Sequence, residues 1–141
     1  EKLVSLLETD DNAYVRRATA WSLANYDNQI VLKPLINALK NDVAAVRLWS
    51  SSSLAEIGNV SLKNAQLAAE QLLISLKIDN EPGVRSNCIW SLCRLYEKLN
   101  NTFQESFVDE CTKIALFDKE PSVMEEAKTA LDSMGMQGFY N

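Results

Sequence analysis

Apolar residues recur along the chain at spacings of three and four, the mark of helices that bury one face. "LVSLL" (3–7), "KPLINALK" (33–40), "AAEQLLISLK" (68–77) and "FVDECTKIALF" (107–117) each carry such a stripe. Four further stretches alternate with them: "YVRRATAWSL" (14–23), "AVRLWSSSSL" (45–54), "GVRSNCIWSL" (83–92) and "SVMEEAKTAL" (122–131). These align on one another without a gap. Each sets Val first and Leu eight residues later, as Val15 and Leu23, Val46 and Leu54, Val84 and Leu92, Val123 and Leu131. A short acidic turn precedes each copy: "ETDDNA", "KNDVAA", "DNEPG", "DKEPS". Pro34 suits a first helical turn, and Pro82 and Pro121 sit where helices start, because the N–H that proline lacks has no helical partner there. Gly58 after "LAEI" predicts a helix C-cap. Strand-like alternation is missing, so the pattern predicts an all-α chain of four helical hairpins.

A helical wheel sorts the second helix of each pair. Counting from its Val as zero, positions 0, 4, 7, 8 and 11 share one arc. They hold Val, two small residues (Thr19 and Ser22, Ser50 and Ser53, Cys88 and Ser91, Ala127 and Ala130), Leu, and a larger residue (Tyr26, Ile57, Leu95, Met134). This arc is the expected buried seam. Positions 2, 6 and 9 lie opposite, with Arg17, Trp21 and Ala24, then Leu48, Ser52 and Ala55, then Ser86, Trp90 and Cys93. Trp21 and Trp90 thus share a wheel position two repeats apart, and Trp49 falls on the shoulder of the same face. Two readings stay open: the indoles fill gaps between repeats, or they form an aromatic ridge that grips a partner or a flat apolar ligand.

The Val positions recur at intervals of 31, 38 and 39 residues, the range of paired-helix solenoids. The acidic turn, Val-Arg, small residues and Leu, in the form "VRxxAxxxL", resemble HEAT repeats, and in particular the short subtype of phycobilisome lyases. The resemblance runs from about residue 2 to residue 134. It implies a right-handed α-solenoid, one domain over 1–134 in units 1–28, 29–60, 61–100 and 101–134, with first helices convex and second helices concave. A tail follows over 135–141, where Phe139 and Tyr140 are expected either to cap the last repeat or to belong to a partner contact. The resemblance also implies a ladder in which turn aspartates bond the arginines of adjacent repeats: Asp10, Asp42 and Asp79 with Arg16, Arg47 and Arg85. Met124 replaces the arginine in the last unit, as suits a terminal repeat.

Two functions follow as expectations. The first is a non-catalytic scaffold that binds another protein or a ligand on its concave face. The second, implied by the lyase-like subtype, is a phycobilin lyase subunit or bilin chaperone. It would act on a phycobiliprotein, beside a second HEAT-like subunit, with a transiently bound phycobilin as its only cofactor. In that reading the indoles stack the bilin and Arg17 or Arg94 pairs with its propionates.

Composition narrows the chemistry. Among 141 residues there is no histidine, which excludes His-dependent catalysis and removes the commonest metal ligand. No metal loop is visible. The "WSSSSL" run (49–54) has no base beside it and reads as small packing residues. Net charge is −5, with the 14 Lys and Arg scattered, so no cationic face offers itself to nucleic acid. No apolar run suits a membrane span. Three cysteines without a CxxC pair suit free thiols of a reducing compartment and predict a cytoplasmic protein. Cys88 and Cys111 read as core, whereas Cys93, next to Arg94, is a candidate reactive thiolate. The chain opens on Glu1 with a short first helix, from which further repeats ahead of it are expected.

Overall fold

The computed structural model describes residues 2–26 and 29–136. Eight α-helices occur among them, joined by turns and three short 3-10 segments, with no strand. They are α1 (Lys2–Thr9), α2 (Ala13–Ser22), α3 (Leu32–Asn41), α4 (Ala44–Gly58), α5 (Leu62–Ile78), α6 (Pro82–Leu95), α7 (Asn101–Phe117) and α8 (Pro121–Ser133). Each odd helix packs on the even helix that follows it. The odd helices α1, α3, α5 and α7 stack in chain order as one layer, and α2, α4, α6 and α8 stack as a second. The result is an α-solenoid of four hairpins in which each hairpin is buried by its neighbours.

The seam that holds the second layer follows the wheel throughout α4 and α6, while Val15 and Ser22 of α2 and Met134 after α8 are only half-buried. Leu23, Leu54, Leu92 and Leu131 are buried, as are Val46, Val84 and Val123. Each such side chain contributes about 1.5–3 kcal/mol by leaving water. Opposite them, α3, α5 and α7 contribute Leu35, Leu39, Leu72, Leu76, Phe107 and Ile114. Small residues let the second-layer helices approach closely enough for side chain to meet backbone. The Ser53 hydroxyl donates to the Ala20 carbonyl of α2, and the Ser91 hydroxyl donates to the Ser51 carbonyl of α4, both at 2.6 Å. The same wheel position thus makes the same bond across two consecutive interfaces. At α8 the position is Ala130, which has no hydroxyl to donate.

Three local expectations are corrected. Tyr26 is 48% exposed, not in the seam, because α2 ends at Ser22 and residues 23–25 tighten into a 3-10 turn that shifts the wheel. Ala55, expected on the open face, is fully buried. Gly58 is the last residue of α4 and not its left-handed cap; Asn59 takes the cap position. Its need for glycine is spatial, since a Cβ there would sit 3.1 Å from the Ala68 Cβ and from a Leu95 methyl. The left-handed turn belongs instead to Gly135 (φ 75°), which ends α8 with Met136 N–H bonding the Leu131 carbonyl at 2.8 Å. Helices α5 and α7 also start earlier than their apolar stripes suggest. Ser61 accepts from the Asn64 N–H, and Asn100 accepts from the Phe103 N–H, adding a capped turn to each. Phe139 and Tyr140, assigned to a cap or a partner contact, lie outside the described residues.

Candidate functional site

Along one edge of the solenoid, where each first helix turns into its second, the aspartates and arginines form a repeated unit. An aspartate ends each first helix: Asp10, Asp42, Asp79 and Asp118 donate their N–H to the carbonyls of Leu6, Ala38, Ser75 and Ile114. The carboxylate then accepts an N–H from the turn that follows, from Asn12, Val43, Glu81 and Glu120 in order. The arginine one residue past the repeat Val bridges two turns. Arg16 Nη1 donates to the Asp10 carbonyl at 2.8 Å, while Nε and Nη2 hold the Asp42 carboxylate at 3.0 and 2.9 Å. Arg47 repeats this with the Asp42 carbonyl at 2.9 Å and the Asp79 carboxylate at 2.9 and 3.1 Å. Arg85 reaches the Asp79 carbonyl at 3.1 Å and Asp118 at 2.9 Å through Nη2 alone, leaving its buried Nε without a partner.

The planar fork explains why arginine recurs at this place. Its fork serves two consecutive hairpins at once, with three N–H donors in Arg16 and Arg47 and two in Arg85, which the single ammonium of lysine does not reproduce. Donating to the Asp42 carboxylate raises the Arg16 pKa, and donating to Asp79 raises the Arg47 pKa, both against partial desolvation. Each guanidinium has its charge matched in place, which leaves none of the three as a free anion ligand.

On the second-layer face, Trp21 is 57% and Trp90 43% exposed. Trp49 differs. It is half-buried and packs against the core, at a wheel position that in α6 is Asn87, whose amide reaches back to the Leu48 carbonyl and Ser52 hydroxyl of α4. The expected ridge of three indoles is therefore two open rings with a third drawn into the packing between repeats.

The charged neighbours of these rings are already engaged. The Arg94 guanidinium stacks 5.0 Å from the centre of Trp90 and pairs with Glu56 of α4 at 2.9 Å. Arg17 lies 5.5 Å from the centre of the Tyr14 ring. Arg94 therefore does not promote a thiolate at Cys93. Burial pushes the Cys93 thiol pKa up, Glu126 adds to the rise, and the Ser133 hydroxyl at 3.9 Å offsets only part of it. Cys88 and Cys111 are buried, and desolvation raises both of their thiol pKa values further.

Sequence reasoning missed the polar residues that tie the opposite edge. Gln66 of α5 donates to the Lys98 carbonyl at 2.6 Å and accepts from the Asn100 N–H at 2.9 Å, and Gln104 donates to the Tyr96 carbonyl at 2.8 Å. No spacing rule marks them, since each contact depends on where a loop returns. Among the described residues, no group of three or more His, Cys, Asp or Glu is placed to hold a metal ion. No helix among them is long and apolar enough to cross a membrane.

The stacked hairpins and the turn-to-turn arginines agree with a comparison of the sequence with known families. A model described as HEAT repeats matches residues 1–93, about two thirds of the chain. The chain belongs to the HEAT-repeat family. No curated protein matches the sequence. The match ends within α6, yet this HEAT-repeat chain continues the same geometry beyond it: α8 stacks on α6, and Arg85 holds Asp118 across the last turn.

Proposed function

We propose that the protein is a non-catalytic HEAT-repeat scaffold that binds a segment of another protein on the face of its second-layer helices. The observation that carries this reading is the exposure of Trp21 and Trp90. Large aromatic side chains anchor interfaces because they bury much area at little cost in side-chain entropy. Here two of them stand at the same wheel position of two hairpins, outside the seam that stabilises the stack. Leu48 and the half-buried Trp49 belong to α4, the second-layer helix that stacks between those of Trp21 and Trp90, and the Arg94–Glu56 pair borders the second ring. Arg17 and Cys93 complete the face as rim residues without a chemical role.

The direct test is selection of displayed peptides on the folded chain, followed by titration of the recovered peptide against tryptophan fluorescence. A saturable change is expected, weakened at least about tenfold in Trp21→Ala and Trp90→Ala, which corresponds to about 1.4 kcal/mol or more per ring. Peptides that bind the doubly substituted chain equally well would remove the face from consideration.

The bilin-lyase or bilin-chaperone reading draws on the same exposed rings for stacking, and on the lyase-like form of the repeat. Its proposed propionate partners, Arg17 and Arg94, would have to leave Tyr14, and Trp90 with Glu56. Titration with phycocyanobilin tests it: a shifted visible spectrum lost in Trp90→Ala supports it, and an unchanged spectrum ends it.

A further inference from the structure

The first hairpin differs from the other three in what it leaves uncovered. Four of its positions, Leu3, Leu6, Val15 and Ser22, are half-buried, and their counterparts in the next three hairpins are all buried. Leu35, Leu72 and Cys111 stand where Leu3 does, and Val46, Val84 and Val123 where Val15 does. The turn aspartates fix this alignment, since Asp10, Asp42, Asp79 and Asp118 end the four first helices in the same way. In the second layer the cover comes from the hairpin before. Ser53 donates to the Ala20 carbonyl of α2 and Ser91 to the Ser51 carbonyl of α4, so wheel position 7 faces the preceding hairpin. Asn87, at position 3, reaches back to α4 as well. In α2 these two places are Ser22 and the exposed Ala18, and both look outward from the end of the stack.

The ladder is open at the same end. Asp42, Asp79 and Asp118 each hold the arginine of the preceding hairpin. Among the described residues, the Asp10 carboxylate accepts only the Asn12 N–H and joins no ion pair. Its carbonyl serves Arg16, as the carbonyls of Asp42 and Asp79 serve Arg47 and Arg85. Asp10 thus repeats the ladder aspartate in every respect except the arginine on its carboxylate. The other end of the stack is built differently. Leu48, Ser51 and Ala55 of α4, on the side that α6 covers, correspond in α8 to Glu125, Lys128 and Asp132, and the ladder arginine corresponds to Met124. Charged outer positions of this kind keep a terminal repeat in water. The solenoid therefore has a polar face at α8 and a repeat interface left open at α1 and α2.

We infer that the outer side of α1 and α2 is a docking surface for a HEAT-type helical hairpin of a partner protein, one that carries arginine directly after the first Val of its second helix. Its guanidinium takes the Asp10 carboxylate, Ser22 donates to a backbone carbonyl of its second helix, and its apolar side covers Leu3, Leu6 and Val15. The contact continues by one hairpin the interface that already repeats within the chain. The arginine fork on a shielded carboxylate fixes its register. A second copy of this chain matches less well. Its α8 end brings Met124 and three charged residues, and its α1 end brings Asp10 and Asp11 against like charge. Binding here is independent of Trp90, two hairpins away.

The probe is a fluorescein-labelled synthetic peptide of residues 29–60, the second hairpin, whose far side receives Asp79 and Ser91 in the fold. Its anisotropy is followed on titration with the whole chain. Saturable binding is expected, with a Kd on the order of tens of micromolar or tighter. Asp10→Asn keeps an acceptor for the Asn12 N–H and removes the charge, and Ala18→Glu sets a carboxylate against the backbone of the probe's second helix. Each should weaken binding at least about tenfold, as should Arg47→Met made in the probe alone. Thermal melts of the two chain variants should match the parent, since Ala18 is exposed and Asn at position 10 keeps the turn bond. Trp90→Ala should bind the probe normally. Absence of binding, equal binding of the Arg47→Met probe, or binding indifferent to Asp10→Asn and Ala18→Glu would overturn the inference. So would a dimer of the parent chain in sedimentation that Ala18→Glu abolishes, which assigns the face to a second copy.

Discussion

Leu54 and the two buried cysteines, Cys88 and Cys111, show how far single residues report on this fold. Leu54 is fully buried between α4 and its neighbours, so Leu54→Ala should cost about 2–5 kcal/mol in urea denaturation, the range for emptying a packed site. A loss below about 1 kcal/mol would mean that the site is not core. Burial raises the thiol pKa values of Cys88 and Cys111 in the folded chain above those of the unfolded chain. The unfolded state therefore loses protons first as pH rises, and the folded state binds more of them. Stability from this source is complete below the ordinary thiol range and falls above about pH 8.5, by about 1.4 kcal/mol per pH unit for each thiol still protonated only in the fold. Urea midpoints should decline from pH 8 upward, and Cys88→Ala should flatten that decline. An unchanged slope in the variant would place the alkaline loss elsewhere. The wheel assigned Leu54, Cys88 and the small seam residues from sequence because helical periodicity is local. It failed at Tyr26 and Ala55, where a 3-10 turn and a close neighbouring helix decide the environment.

The arginine that joins two hairpins is the element-scale device. Arg47 serves the Asp42 carbonyl and the Asp79 carboxylate with three donors, and both charged side chains are largely shielded from solvent. Arg47→Ala leaves the shielded Asp79 carboxylate with the Glu81 N–H but without its guanidinium partner, and a loss of about 1.5–3 kcal/mol is expected. Arg47→Lys should recover less than half of it, because one ammonium does not reach both turns. Full recovery by lysine in urea melts would show that charge alone matters. The recurrence of Asp and Val-Arg was visible in the sequence, but the register was not: the carboxylate partner of each arginine belongs to the following turn, 26, 32 and 33 residues away. Helix starts were blurred for a related reason. Ser61 and Asn100 add turns that carry no apolar stripe, so periodicity alone passes over them.

At the scale of the molecule, seam and ladder hold the four hairpins in a line and leave two surfaces outside that work. One is the second-layer face with Trp21 and Trp90. The other is the outer side of the first hairpin, with Asp10 and Ser22. The first was legible as a repeated wheel position; the second was not, since only the stacking shows which side of a wheel meets the preceding hairpin. The open indoles of Trp21 and Trp90 lie outside the core. Urea denaturation of Trp21→Ala beside Leu54→Ala tests it most directly. A loss of about 1 kcal/mol or less is expected for Trp21→Ala, against several for Leu54→Ala. Equal losses in the two variants would place Trp21 in the core and contradict a binding role for the face.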